Sequence, residues 1–145
     1  MEPSAPPKGL RFVHIDDVAP RELLAQKHGE RRVGVHCRVL EWNADRFVSH
    51  TRYDPGVIIS RHSHKSDSLI YILEGAVQVG DRPCGPGTQI VLEKDVVFGP
   101  LIAGPEGCTF LESYAGPVTS VREDEEGYQR MLAERGIVSV PRETA

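Results

Sequence analysis

Residues 56–75 read GVIISRHSHKSDSLIYILEG, and turn chemistry frames them on both sides. Asp54-Pro55-Gly56 leads in and Glu74-Gly75 leads out. The residues between are rich in Ile, Leu, Tyr and Val, which fits strands better than a helix. In a strand, residues two apart project to one face. His62 and His64 therefore stand side by side, with Ile58 and Ser60 expected on the same face. Two histidines at this spacing are most often a surface pair. Here the preceding turn and the following apolar strand favour an interior face. Two imidazoles so placed can share one cation, because neutral imidazole is a ligand for zinc, iron and nickel.

Working outward, the period-two pattern continues. Val33, Val35, Cys37 and Val39 alternate with Gly34, His36, Arg38 and Leu40, which predicts a half-buried strand over 33–41. Residues 46–53 (RFVSHTRY) read as another, and 12–15 (FVHI) as a short one. Further strand-like runs fall at 57–64, 69–73, 76–79, 89–92, 96–98 and 108–114. Between them lie Gly80-Asp81, Cys84-Gly85-Pro86-Gly87 and Gly104-Pro105-Glu106-Gly107. Many short strands punctuated by Gly and Pro predict an all-β sandwich or barrel.

Two segments read as helices. Pro20 opens RELLAQKH and Gly29 stands where a helix would stop. Ser120 and Glu123 have capping-box spacing, 123–126 load a first turn with acid, and Tyr128, Met131 and Leu132 form a one-sided stripe before Gly136. The expected organisation is a tail over 1–10, a β-barrel with an N-terminal extension over 11–120, and a C-terminal helix and tail over 121–145.

The chain has 145 residues and a formal net charge of −4, which suits one modest core and offers no basic field for nucleic acid. No stretch approaches the ~18 apolar residues of a membrane span, and the N-terminus lacks the apolar segment of a secretory signal. Cys37, Cys84 and Cys108 are odd in number and widely spaced, so they read as buried thiols in a reducing cytoplasm. There is no phosphate-binding glycine loop, no GxSxG elbow and no HExxH.

The histidine segment resembles the first motif of the cupin superfamily, G-x5-H-x-H, three or four residues, Glu, x6, G. Gly56, His62, His64 and Gly75 match it, and IYILEG at 70–75 is similar to its tail. The second motif, G-x5-P-x-G-x2-H-x3-N, opens at Gly87 within CGPGTQIVLEKDVVFGP. Counting from Gly87 puts Glu93 at its Pro, Asp95 at its Gly and Phe98 at its His. The resemblance covers about residues 45–115 and implies an all-β jelly-roll barrel with a small molecule in its cavity.

In metal-bearing cupins the donors are both His residues of the first motif, its Glu and the His of the second. The resemblance therefore implies a divalent transition metal (Fe, Mn, Ni or Zn) on His62 and His64. Ser68 stands at the Glu position and Phe98 at the second-motif His, so two donors are replaced. His50, Asp67 and Glu112 remain open as a third ligand. Either His50 and Arg52 or Phe47, Ser49, Thr51 and Tyr53 face inward. Ser60, Ser68, Ile70 and Phe98 are the expected cavity lining. An inward Phe98 favours an apolar or aromatic ligand.

Two functions follow. One is a metal-dependent enzyme of dioxygenase, isomerase or lyase type; the alternative is a non-catalytic ligand-binding or sensory cupin. A homodimer is also expected, with strand 33–41 extending a partner's sheet edge.

Overall fold

The computed structural model describes residues 9–141, so most of the expected tail and the last four residues lie outside the described residues. After one turn of 3-10 helix (Ile15–Asp17) the chain forms β1 (Arg21–His28), β2 (Arg31–Trp42), β3 (Phe47–Tyr53), β4 (Ile58–Ile59), β5 (His62–His64) and β6 (Ser68–Val79). It continues through β7 (Arg82–Cys84), β8 (Gln89–Leu92), β9 (Leu101–Tyr114), β10 (Ser120–Arg122), α1 (Glu125–Glu134) and β11 (Ile137–Val140). The larger sheet has the order β11-β1-β2-β3-β9-β6-β7, with β4 also on β9 and β8 on β6; β10 and β5 form a second, smaller sheet. The strand pairs are antiparallel, and the fold is the expected all-β jelly roll.

The turn signals divide into two kinds. Asp54-Pro55-Gly56 is a true turn, closed by the Val57 amide on the Asp54 carbonyl at 3.2 Å. Gly80-Asp81 is a two-residue hairpin that pairs Val79 with Arg82. Glu74-Gly75 and 104–107, expected as turns, instead lie inside the long strands β6 and β9. They face each other where the register shifts between Gly75 and Val77. Such irregularities bend paired strands, and here they let one continuous pair wrap a barrel. A Cβ on Gly75 would strike the Gly107 carbonyl oxygen, so the bend requires glycine there.

The segment RELLAQKH is a strand and not a helix. Its residues are good helix formers, but β2 is available as a partner, and pairing overrides propensity. Gly29, at φ +67, is the first central residue of the two-residue turn joining β1 to β2. A bulge between Glu22 and Leu24 accommodates the adjacent leucines that suggested a helix. Residues 12–15 form no strand. The C-terminal helix starts later than expected: Asp124, not Ser120, caps it, its carboxylate accepting the Gly127 amide at 3.1 Å. Ser120 pairs with His64, so the residues before α1 are tied to the smaller sheet and those after it to β1. β2 lies between β1 and β3 and offers no free edge to a second copy.

β3 settles the parity left open by the sequence. Phe47, Ser49, Thr51 and Tyr53 are buried, and Val48, His50 and Arg52 lie on the opposite, more exposed face. The inner cluster gathers Val35, Tyr53, Ile70, Ile72, Phe98, Leu101 and Phe110. Outside the barrel, Tyr128 and Leu132 of α1 pack on Ile58 and Ile137. Fully buried Gln26 ties this layer together, donating to the Ile58 carbonyl (2.6 Å) and accepting its amide (3.2 Å). The three cysteines are buried and free.

Candidate functional site

β5 is short because Ser60 and Arg61 leave the ladder between β4 and β5. The break shifts the alternation by one residue. Ile58 points to the α1 layer, and Ile59, not Ser60, lines the barrel cavity beside His62 and His64. The cavity has two adjoining lobes of about 190 Å³ each. His62, His64, Ile70, Phe98 and Glu112 line the first, and Ser49, Thr51 and Phe110 the second; Tyr53, Glu112 and Tyr114 are common to both.

The histidines meet as expected, with ring centroids 5.1 Å apart. His62 Nδ1 lies 2.7 Å from the Ser60 carbonyl, which can only accept, so neutral His62 carries its proton on Nδ1 and a lone pair on Nε2. Burial lowers its pKa. Both nitrogens of His64 are engaged, Nδ1 with Ser68 Oγ at 2.8 Å and Nε2 with the Tyr114 hydroxyl at 3.0 Å. Burial, then the neighbouring His62, push His64 down to about 4.

Glu112 lines the same space from β9 and is half-buried. Burial pushes its carboxyl up to about 7, opposed by a hydrogen bond from the Tyr114 hydroxyl. Burial and the nearby Glu112 raise the Tyr114 phenol far above its ordinary value, so it keeps its proton. Tyr114, His64 and Ser68 thus form one hydrogen-bonded chain, with the Glu112 carboxyl beside its Tyr114 end. With Glu112 ionised, Tyr114 donates to the carboxylate, accepts from His64 Nε2–H, and Ser68 donates to Nδ1. With Glu112 protonated, every donor in the chain can reverse. The chain can therefore reorient its donors when the charge on the neighbouring Glu112 changes.

The donors do not fit a transition metal. Phe98 stacks at 4.4 Å from His62 and 5.2 Å from His64, at the motif position of the fourth ligand. Ser68 serves as a partner of His64 Nδ1. Of the open third ligands, His50 is on the outer face of β3, and Asp67 is exposed, accepting the Lys94 amide at 2.8 Å. Glu112 is in the cavity, but among the described residues no three His, Cys, Asp or Glu side chains converge on one point. Tyr114 was missed by the sequence reading. Its inward parity with Glu112 along 108–114 was the available signal.

The second-motif alignment also has a backbone signature. Asp95, at the motif's glycine position, is one of two non-glycine residues with positive φ among the described residues, at +70. Phe98 pairs with His62 across the gap between motifs.

No protein-family model matches the chain, and no curated protein matches it in sequence. Solved structures do match. The polyketide cyclase RemF from Streptomyces resistomycificus is 23% identical over 88% of this chain and 96% of that one, with a TM-score of 0.64. A sugar phosphate isomerase of the cupin superfamily from Silicibacter pomeroyi is 19% identical over 79% and 82%, with a TM-score of 0.62. An RmlC-like cupin from Shewanella frigidimarina is 16% identical over 75% and 93%, with a TM-score of 0.60. No helix among the described residues is long and apolar enough to cross a membrane. Two bent strands closing a barrel, paired histidines on its inner wall, and these matches together show that the chain has the fold of the cupin structures it resembles.

Proposed function

We propose that the chain binds a small, largely apolar or aromatic carbonyl compound in the barrel and moves a proton on it without a metal, as an isomerase, cyclase or lyase does. The observation that carries this reading is Glu112, a carboxyl raised to about 7 by burial in the cavity that His62 and His64 share. A general base works best when its pKa lies near the working pH, because it is then both available and strong enough. Ionised Glu112 takes a proton from the carbon beside the carbonyl. Tyr114 and His64 stabilise the carboxylate and then its protonated form by reversing their hydrogen bonds. His62 presents its Nε2 lone pair to the same lobe, where it accepts a hydrogen bond from a substrate hydroxyl. Ile59, Ile70 and Phe98 hold the apolar body of the ligand and exclude water. Polyketide cyclase and sugar isomerase chemistry, named for two structural neighbours, both involve proton movement next to a carbonyl.

The alternative is a binding protein with the same cavity and no turnover, favoured by the loss of two motif donors. Exchange of α-hydrogen for deuterium in a panel of small aryl ketones, followed by NMR with the purified chain, separates the two. Catalysed exchange that is lost in Glu112→Gln supports the enzyme. Saturable ketone binding without exchange establishes the binder. A Glu112 carboxyl resonance titrating in the ordinary carboxylate range would remove the basis of the proposal.

A further inference from the structure

We propose that the outer face of β2 and β3 carries a second site, which binds a phosphate group through His36, Arg38, His50 and Arg52. The register pairs His36 with Arg52 and Arg38 with His50, so four cationic or proton-donating side chains form a two-by-two array on one face. With Pro20 and Thr109 they line a hollow of about 170 Å³. It lies across the sheet from the barrel cavity, because β3 turns Ser49, Thr51 and Tyr53 inward and His50 and Arg52 outward.

Two members of the array lack a partner. The Arg38 side chain makes no hydrogen bond or ion pair among the described residues, and its Nε is buried without an acceptor. A buried guanidinium N–H without an acceptor is costly, and a bound oxyanion supplies one. His50 likewise has no hydrogen-bond partner among the described residues.

The carboxylates nearby are already committed. Asp54 accepts from His36 Nε2 and from the Gly34 amide, both at 2.8 Å, and lies 3.9 Å from Arg52 Nε. Glu22, across from His36 on β1, is held by both terminal nitrogens of Arg32, at 2.7 and 2.9 Å. Arg52 otherwise makes only long contacts, 3.5 Å to Thr109 and 3.4 Å to the Glu106 carbonyl. Of the two guanidinium groups, Arg52 alone has a carboxylate within 4 Å, on a chain whose net charge is −4.

The arrangement selects the kind of anion. A planar carboxylate would occupy one arginine fork and leave the opposite corner unused. A tetrahedral phosphate resting on the array directs several oxygens at once toward donors from both strands. The site therefore fits the phosphate group of a small metabolite or free phosphate.

The test uses the full chain, with inorganic phosphate titrated at constant ionic strength and the histidine ring resonances followed by NMR. Saturable shifts at His36 and His50 are expected, with His62 and His64 unmoved. Arg38→Gln should weaken binding about tenfold or more, the scale of one charge-assisted hydrogen bond. If Arg38→Gln loses the wild-type circular dichroism spectrum, Arg52→Gln carries the same expectation. A phenyl phosphate titration that saturates more tightly than free phosphate identifies a phosphate ester as the ligand, and equal affinity identifies the free ion. Absence of saturation, shifts reproduced by sodium chloride, or unchanged affinity in a folded arginine variant overturns the site.

Discussion

β3 and β9 carry polar side chains on both faces, and the two faces treat them in opposite ways. Inward, Glu112 and Tyr114 of β9 meet Ser49 and Thr51 of β3 in a confined cavity. Outward, His50 and Arg52 of β3 meet Thr109 of β9 at the surface. Inside, burial keeps His64 neutral and holds Glu112 near the point of neutrality. Outside, Arg52 lies 3.9 Å from Asp54, and the Arg38 guanidinium has no carboxylate partner among the described residues. One pair of strands therefore lines a confined polar cavity on one side and a basic surface hollow on the other, separated by the thickness of a sheet. Only alternation decides which chemistry a residue joins.

The sharpest way to break this contrast is to hollow out the inner face. Phe110 is 2% exposed and packs edge-on against Tyr53 at 4.9 Å. Phe110→Ala should cost about 4 kcal/mol in denaturant unfolding, through lost burial and a residual cavity. A loss near the surface range would mean that the inner wall is loosely packed.

Glu112→Gln should act next, and in a pH-dependent way. The carboxyl is raised from 4.5 to about 7, so the folded state binds its proton more tightly than the unfolded chain does. The native protein therefore loses stability as pH rises from 4.5 through 7. The glutamine variant should match wild type below pH 4.5 and exceed it by about 2 kcal/mol above pH 7, part of the shift being screened by cavity water. Equal stability at every pH would show that Glu112 titrates normally.

His64 works in the opposite direction. Lowered from 6.5 to about 4, it removes stability as pH falls from 6.5 to 4. The two slopes oppose each other between about pH 4.5 and 6.5, so wild-type stability should be nearly flat there. His64→Gln should restore a decline toward higher pH, and Glu112→Gln a decline toward lower pH. Thermal melts in a pH series read both, and a steep wild-type slope in this window would contradict the paired shifts.

The smallest effect belongs to the outer face. Arg38→Gln and His50→Gln should change stability by no more than about 1 kcal/mol, because both side chains are half-buried and neither makes a side-chain hydrogen bond among the described residues. A large loss from His50→Gln would show that the array supports the fold and is not reserved for a ligand.

The sequence made the barrel legible through its histidine segment, because motif spacing and period two agreed over residues 56–75. Motif spacing put Ser68 and Phe98 at the two replaced ligand positions; in the structure Ser68 bonds to His64 and Phe98 packs against His62. It misled where local and long-range preferences diverge. RELLAQKH is helical by propensity, and only the presence of β2 makes it a strand. Glycines at 75 and 107 resemble turn residues, yet they serve a bend within paired strands. The break at Ser60 and Arg61 moved Ile59 into the cavity in place of Ser60, since a one-residue slip exchanges the faces. Glu112 was only one of three open candidates, because nothing local marks a carboxyl as inward.

The pairing of β5 with β10 has a consequence for synthesis. Ser120 lies across from His64, and the ladder that holds the histidine strand waits for a partner far downstream. While the chain is emerging from the ribosome, β2 and β3 can already form a hairpin, but the strand bearing His62 and His64 has only the single bridge to Phe98 until β10 is made. The cavity is therefore among the last parts of the molecule to be sealed, and a nascent chain stalled before residue 120 would hold both imidazoles open to solvent, metal ions and chaperones.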